Sequence, residues 1–284
     1  MFKSVTLFTL AAFILTVAVV SAQDWRHGIP WQKPEVVTPG ERLGTPPSDA
    51  IILFDGTDFS AWDREWLIED GAMVAPERGN PARRDIRTRQ AFGSVQLHLE
   101  FASPAEVTGG GQSRGNSGIF FGDNRYEVQI LDSFENETYY DGMCASIYKQ
   151  LPPLVNASRK PGEWQTLDII FNRPELKIER GADGTRDVVY VIRPAYITVF
   201  HNGILVVNNY QLKGSTFFNR PPVYEAHEPK TPILIQAHGS GGRVKFRNIW
   251  VREIPDTNMI PEPNRPPFIL RGNTEIPLPP PNPQ

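Results

Sequence analysis

Residues 116–133 read Asn-Ser-Gly-Ile-Phe-Phe-Gly-Asp-Asn-Arg-Tyr-Glu-Val-Gln-Ile-Leu-Asp-Ser, and the rest of the chain is interpreted around this stretch. An apolar run occupies positions 119–121, and a second segment with apolar residues begins at Tyr126. Between them, residues 122–125 supply the glycine, aspartate and asparagine that tight turns favour. The stretch therefore predicts two strands joined by a short turn.

Side chains alternate between two faces from Tyr126 onwards, because a strand has a period of two residues. Tyr126, Val128 and Ile130 fall on one face, whereas Glu127 and Gln129 fall on the other. A carboxylate and an amide thus lie side by side, away from the packing residues, and form a candidate site for chemistry. The alternative is that they are ordinary polar residues on the outer face of a half-buried strand.

Composition favours a β-rich protein and excludes several classes of site. The chain has 284 residues, enough for one large or two small domains, and its 40% apolar content is adequate for a core. A net charge of −3 gives no basic field for nucleic acid. Cys144 is the only cysteine in the sequence, which rules out an intrachain disulfide and a cysteine-based zinc site.

Period-two patterning continues through the body of the chain. Residues 94–101 form the clearest amphipathic strand, and Asn202-Gly203 is a strong signal for a β-hairpin. One face of the amphipathic strand carries Val95, Leu97, Leu99 and Phe101, and the other carries Gln96, His98 and Glu100. About a dozen short strands without sustained helical periodicity predict an all-β fold, an antiparallel sandwich of two sheets.

The chain divides into four parts. Residues 1–22 resemble a signal peptide, because a basic start and an apolar segment precede the small residues Val20-Ser21-Ala22. Residues 23–48 form a proline-punctuated arm, 49–254 the globular body, and 255–284 a tail with ten prolines. This composition favours extended conformations, and we expect the tail to be removable provided that residues 268–270 do not dock. The expected location is the periplasm or the outside of a bacterial cell, and the alternative for the first segment is an uncleaved anchor helix.

An ordered series of motifs resembles the 3-keto-disaccharide hydrolase family over about residues 50–254. These motifs are Leu53-Phe54-Asp55-Gly56, Trp62, residues 116–120 and 126–133, residues 152–158, Gly162-Glu163-Trp164-Gln165-Thr166, residues 199–203 and residues 244–252. The resemblance implies a jelly-roll sandwich of the concanavalin A-like lectin/glucanase type. It also implies cleavage of 3-keto-glycosides, by elimination followed by hydration in at least some members. A glycoside 3-oxidoreductase would supply the ketone as a pathway partner.

One position departs from the family pattern. The family usually has an aspartate before a late His-Gly pair, whereas this chain has Ala237 between Gln236 and His238. If that acid assists the reaction or holds a metal ion, activity here would be altered or weakened.

The resemblance assigns candidate catalytic roles to three residues. Glu127 is the first candidate for the base or for a metal ligand, and its alternative role is to orient a neighbouring arginine. His238 precedes a glycine-rich loop and is a candidate base, acid or ligand, with a structural role as the alternative. Tyr148 is a candidate proton donor to the leaving group, or else a core tyrosine. A divalent cation is a possible cofactor, as a Lewis acid on the ketone oxygen.

Further polar residues are candidates for binding sugar hydroxyls or the ketone: Asn116, Gln129, Asp132, Arg159, Gln236 and Glu100. The alternative role of Asp132 is to cap the loop. The alternative for Arg159 is that it is exposed to solvent and has no binding role. Glu100 and His98 share a face, and the alternative for both is solvation. Trp25, Trp31 and Trp62 could stack on sugar rings, although core packing is the usual role of a residue such as Trp62.

The main hypothesis is an exported carbohydrate-active enzyme that acts on 3-keto-glycosides. The first alternative is a non-catalytic, lectin-like module, because the same sandwich serves both classes. The second is a conventional glycosidase, which needs two acids about 5–9.5 Å apart. Gln129 stands where a second acid would share the face of Glu127. We expect Glu127 and His238 to meet in one cleft beside the long loop 214–230, and Glu127→Gln to stop turnover without changing the melting temperature.

The cleavage motif makes a direct prediction about the exported protein. If signal peptidase cuts after Ala22, the mature chain begins at Gln23, and its mass is lower by the first 22 residues. N-terminal sequencing and intact mass of protein from the envelope or medium measure this. A chain in the envelope fraction that still carries Met1 would indicate an anchor helix instead.

Overall fold

The computed structural model describes residues 33–77, 79–81, 83–181, 187–255, 268–271 and 274–277. The proposed signal peptide, Trp25 and Trp31 lie outside these residues. The chain separates into two compact units, Met1–Val36 and Val37–Gln284, and the fold below is that of the second. Its described helices are single 3-10 turns at Gly111–Ser113 and Tyr140–Gly142. None of the described helices has the length and hydropathy needed to cross a bilayer.

Strands account for nearly all of the regular structure, as the period-two patterning predicts. In chain order they are β1 (Ile51–Phe54), β2 (Leu67–Glu69), β3 (Ala72–Val74), β4 (Ile86–Arg87), β5 (Val95–Ala102), β6 (Ser117–Phe121), β7 (Tyr126–Ile130), β8 (Gln165–Asn172), β9 (Glu175–Glu179), β10 (Val188–Arg193), β11 (Tyr196–His201), β12 (Ile204–Gln211), β13 (Leu234–Ile235), β14 (Lys245–Glu253), β15 (Phe268–Arg271) and β16 (Thr274–Pro277).

Two antiparallel sheets enclose the core. The large sheet has eight strands in the order β12-β11-β8-β5-β14-β3-β2, with β1 paired to β14. The small sheet has the order β4-β13-β6-β7. Val95, Leu97 and Leu99 of the large sheet share one hydrophobic cluster with Val128 and Ile130 of the small sheet. Because each such side chain contributes about 1.5–3 kcal/mol on burial, this cluster is the main source of stability. The predicted two-sheet sandwich is confirmed.

Strands β6 and β7 form the predicted hairpin. Phe121 pairs with Tyr126, and Ser117 pairs with Ile130 at the far end. Asp123 and Asn124 in the turn have φ values of 55° and 68°. Aspartate and asparagine tolerate this left-handed region better than other residues with a side chain, which explains their place in the turn.

The C-terminal segment differs from the expected tail. Strands β15 and β16 pair with each other, and β15 also pairs with β10 through Phe268 and Val191. Together with β9 they form a third sheet, of four strands. The assumption that residues 268–270 do not dock is therefore wrong. The edge of β10 that is not paired with β9 carries free backbone N–H and C=O groups. Strand β15 pairs with these groups, although it belongs to a proline-rich part of the chain.

The outer face of the large sheet is covered around His98, where the sequence predicts exposure to solvent as one alternative. His98 is 1% exposed, donates from Nδ1 to Asp168 Oδ1 at 2.7 Å, and stacks on Trp250. The carbonyl oxygen of Gly44 accepts hydrogen bonds from Trp250 Nε1 (2.9 Å) and from Asn248 Nδ2 (2.8 Å). The solvated alternative for His98 is therefore wrong, because the segment around Gly44 packs on this face.

The hairpin between β11 and β12 allows a test of turn chemistry. Asn202 has a φ of 52°, accepts the N–H of Thr166 and donates to the carbonyl of Ala157. Asn202→Ala loses these two bonds and a longer one from Nδ2 to Gln165 Oε1 (3.3 Å), and it places alanine in a left-handed conformation. We expect it to lower the free energy of unfolding by about 2–3 kcal/mol in urea denaturation.

A matched control separates the two causes. Asn209 also has a positive φ, 44°, but its side chain is exposed. Asn209→Ala should therefore cost only about 1 kcal/mol, the backbone part of the penalty. Equal losses in the two variants would contradict a role for the Asn202 side-chain bonds.

Candidate active site

Cross-strand pairing fixes which side chains share the outer face of the small sheet. Leu234 pairs with both Arg87 and Phe120, and Phe120 pairs with Glu127. Directly paired residues point to the same side of a sheet, so these four side chains form one row. The neighbouring row, which includes Val128, lies in the core. Glu127 therefore lies on the face opposite to the core.

Glu127 is buried although it points away from the core. Its exposed fraction is 6%, and loss of solvent raises the pKa of its carboxyl group from 4.5 to about 8. Desolvation disfavours the charged form and is the cause of this shift. Below pH 8 the group is mainly protonated, and its ionised form is a stronger base than an ordinary glutamate.

Gln129 contacts Glu127, and the orientation of its amide depends on the protonation of that carboxyl. When its nitrogen faces Glu127, it donates to Glu127 Oε1 (3.0 Å) and to the Ser117 carbonyl oxygen (3.2 Å). When its oxygen faces Glu127, Nε2 donates to Gln112 Oε1 at 3.1 Å. The second orientation requires a protonated Glu127 that donates to Gln129, since two bare acceptors repel. The pair is thus suited to hold either protonation state.

Tyr148 lies beside Glu127 on the next segment of chain. Residues around Ile147 form a bridge to Val128, and the Tyr148 N–H donates to the Glu127 carbonyl oxygen. This segment therefore joins the edge of β7 through an isolated β-bridge. Tyr148 and Tyr139 hydroxyls lie 2.6 Å apart. Burial, followed by the bond with Tyr139, raises the pKa of Tyr148, so this phenol stays protonated and can donate.

Gly118 makes room for the carboxyl group and was not singled out from the sequence. A Cβ atom at this position would lie 2.8 Å from Glu127 Oε1. The Asn-Ser-Gly motif contains the signal, but only the pairing of Gly118 with Gln129 explains it. Tyr139 and Gln112 were also missed, because their loops carry no periodic pattern.

Gln236 occupies the next row of the same face. Its N–H donates to the Gly118 carbonyl oxygen, and its buried Oε1 finds no hydrogen-bond partner within the described part of the chain. A buried amide oxygen without a protein donor is suited to accept a hydrogen bond from a ligand, for example from a sugar hydroxyl.

His238 lies farther along, in a pocket at the β4 end of the sheet. Arg83 donates to its carbonyl oxygen at 2.9 Å. Extending the β13–β6 pairing places His238 across from Asn116, two strands and four residues from Glu127. Strand spacing and rise put the two Cα atoms about 16 Å apart. The structure shows no direct contact between the two side chains, so their joint role stays a prediction.

Ala237 points the opposite way from its neighbours. It belongs to the core cluster with Ile235, whereas Gln236 and His238 lie on the outer side or at its rim. Its N–H donates to Asp85 Oδ1 at 2.8 Å. An acid in place of Ala237 would therefore point inward, away from the face that carries Glu127.

The remaining candidates are distributed over different parts of the molecule. Asn116 is near Gln129 and donates to the Gln112 carbonyl oxygen. Asp132 is buried and holds Arg114 Nε at 2.6 Å, as a loop anchor would. Arg159 is exposed.

Glu100 is on the other side of the sandwich from Glu127. It lies on the outer face of the large sheet, where it pairs with Arg247 Nε at 2.6 Å and accepts from Asn248. Trp62 is fully buried and donates to the Leu53 carbonyl oxygen, as core packing predicts. These two residues are thus separated from the Glu127 face.

The donor set around Glu127 does not fit a metal centre. The Gln129 amide can bond to its Oε1 at 3.0 Å, and Tyr148 is the residue that lies across from it on the next segment of chain. Across the described ranges, no three His, Cys, Asp or Glu side chains converge as a metal site would require.

The loop 214–230 lies along the β7 edge, next to the site. Thr216 N–H donates to the Arg125 carbonyl oxygen, and its hydroxyl accepts from the Glu127 N–H at 3.3 Å. His227 from the same loop contacts the Tyr126 hydroxyl at 2.9 Å. These bonds fix the loop as a wall beside Glu127.

Comparison with known proteins agrees with this architecture. The model of the 3-keto-alpha-glucoside-1,2-lyase-like domain matches residues 49–252. A solved structure from Parabacteroides distasonis, provisionally assigned as a glycosyl hydrolase, is 41% identical with a TM-score of 0.71. The match covers 80% of this chain and 95% of that one. A second structure with the same provisional assignment and organism is 18% identical, with a TM-score of 0.50 over 73% and 94% of the two chains. No curated protein matches the chain.

From the sequence alone, Glu127→Gln is expected to keep the wild-type melting temperature. Because Glu127 is buried, we now expect the stability difference between the variant and the wild type to depend on pH. Between pH 4.5 and 8 the unfolded carboxyl loses its proton while the folded one keeps it, so the wild-type free energy of unfolding falls as pH rises. Glu127→Gln has no such loss. We expect the variant to gain roughly 3–5 kcal/mol relative to wild type between pH 4.5 and 8 in urea denaturation. Glu163→Gln, an exposed control, should follow the wild type; parallel curves for all three proteins would contradict the raised pKa.

Proposed function

The chain belongs to the 3-keto-alpha-glucoside-1,2-lyase-like family, and from this premise we propose that it cleaves 3-keto-glycosides on the outer face of its small sheet. Family membership and the likeness to a provisionally assigned glycosyl hydrolase support a carbohydrate-active enzyme. The observation that carries the finer proposal is the buried Glu127, whose carboxyl pKa is raised to about 8 beside a protonated tyrosine pair.

The proposed reaction begins at C2 of the keto sugar. The C3 ketone makes the C2 hydrogen acidic, because loss of that proton gives an enolate. Glu127 in its carboxylate form takes the proton. A general base with a pKa near the working pH typically contributes about 10²–10⁴-fold to the rate, and a value of about 8 is suited to this task.

The enolate then expels the aglycone from C1. The C1–O bond breaks, its electron pair passes to the aglycone oxygen, and the Tyr148 hydroxyl supplies the proton that this oxygen needs. The product is an unsaturated 2-hydroxy-3-ketoglucal. In the second step water adds across C1 and C2: its hydroxyl bonds to C1, its remaining proton returns to Tyr148, and Glu127 returns its proton to C2.

Gln129 is suited to follow this change of charge. When Glu127 is ionised, the amide nitrogen donates to Oε1 and stabilises the base. When Glu127 holds the proton, the amide oxygen can accept it in a hydrogen bond, with Nε2 then bonded to Gln112. The neighbouring Gln236 oxygen is available to orient a sugar hydroxyl.

Geometry at Glu127 favours elimination over the glycosidase alternative. A conventional glycosidase needs a second carboxyl about 5–9.5 Å away. In the described residues, the positions directly beside Glu127 on its face are held by Gln129, Phe120 and Tyr148. One base and one phenol match the two proton transfers of an elimination.

The setting of the reaction is also part of the proposal. The signal-like segment at residues 1–22 supports export to the bacterial envelope. An oxidoreductase that oxidises the C3 hydroxyl of a glycoside must act upstream, because the proposed chemistry depends on that ketone.

Turnover of a 3-keto-glucoside with a chromogenic aglycone tests the proposal. We expect wild-type protein to release the aglycone, to accumulate the 2-hydroxy-3-ketoglucal transiently, and to speed up as pH rises towards 8. Glu127→Gln should lose at least 10²-fold in kcat, whereas Glu163→Gln should keep wild-type turnover. Wild-type rates in Glu127→Gln would refute the base assignment, and binding without release by the wild type would favour the lectin-like alternative.

A further inference from the structure

A basic pocket opens at the other end of the face that carries Glu127. Its volume is about 550 Å³, and it is lined by Arg64, Arg83, Arg84, Arg87, Asp85 and the rim residues at Gln236–His238. Four guanidinium groups at one cavity are unusual in a protein whose net charge is −3. This concentration is not needed for the elimination chemistry itself.

Two of the four arginines are balanced by acids. Arg64 pairs with Asp63 at 2.9 Å, and Arg87 pairs with Asp123 at 2.9 Å. Both of these acids lie outside the lining of the pocket. The ion pairs therefore hold these two guanidinium groups at the wall of the pocket.

The other two arginines carry the excess charge. Arg83 donates to the carbonyl oxygens of Ala237 (3.1 Å) and His238 (2.9 Å), which orient it without neutralising it. Arg84 is exposed and makes no ion pair with any residue in the described ranges. Against them stands Asp85, whose Oδ1 already accepts the Ala237 N–H. When Asp63 and Asp123 are counted with Asp85, the four arginines and three aspartates in and around the pocket carry a net charge of +1.

The pocket lies within reach of a substrate bound at Glu127. Arg87 and Glu127 belong to the same cross-strand row, three strand spacings apart, or about 14 Å between Cα atoms. Gln236 lines the pocket and also pairs with Gly118 beside the site. Because an arginine side chain extends several ångströms toward the site, the remaining distance is comparable to the length of a disaccharide.

We propose that the natural substrate is an anionic 3-keto-glycoside, whose keto sugar lies at Glu127 and whose aglycone places a carboxylate or sulfate group in this arginine pocket. This inference rests on the proposed function for the identity of the reacting sugar. Arginine is suited to the role, since its planar fork binds carboxylate and sulfate oxygens in pairs. The pocket thereby selects an acidic sugar as the leaving group.

Three matched substrates test the proposal: a neutral 3-keto-disaccharide, its uronate counterpart and its 6-sulfated counterpart. We expect wild-type KM to be at least tenfold lower for one of the charged substrates than for the neutral one, and the charged substrate that shows this identifies the anion. In Arg84→Gln that preference should fall by about tenfold or more. Arg89→Gln is a control, because Arg89 is exposed and does not line the pocket.

A binding measurement separates failure of this inference from failure of the proposed function. Calorimetry with the unoxidised uronate and sulfate disaccharides needs no turnover. Binding that Arg84→Gln weakens and Arg89→Gln does not would support the pocket even if no 3-keto-glycoside is cleaved. Equal KM for all three substrates, with no effect of Arg84→Gln, would overturn the inference while leaving the keto-glycoside activity intact.

Discussion

The alternation of side chains along β7 is the constraint on which the site depends. Burial of Val128 and Ile130 in the core forces Glu127 and Gln129 to the opposite face. A shift of one residue in the register of β7 would put the Glu127 carboxylate into the hydrophobic cluster. Burial of a charge there, without a partner, would strongly destabilise the fold. The same pairing brings Gly118 under the carboxyl group, where a side chain would not fit. Packing energy and the geometry of the candidate site thus have one origin.

The fold and one face of the site follow from the sequence, whereas the surroundings of Glu127 do not. Period two is a local signal, so it correctly separated Val95 and Val128 from the polar residues next to them. The raised pKa of Glu127 depends on what covers the strand, which no local pattern records. Tyr139 reaches the site from a loop without periodicity, and its contact with Tyr148 is set by tertiary packing.

The failures of the sequence interpretation share a physical cause. His98 was interpreted through its own strand, yet the segment around Gly44 covers it from far away in the chain. Residues 268–271 were interpreted through their proline content, yet the edge of β10 supplies a partner for them. In both cases a segment without a periodic pattern packs against a sheet built from distant parts of the chain.

The contact at Gly44 has a practical consequence for where the domain can be cut. The family match begins at residue 49, whereas the acceptor for Trp250 and Asn248 lies at Gly44. A recombinant chain trimmed to the family boundary would expose the Trp250 indole and the buried imidazole of His98 together. That patch would favour self-association, so a recombinant chain should retain Gly44 as well as the sequence-defined domain.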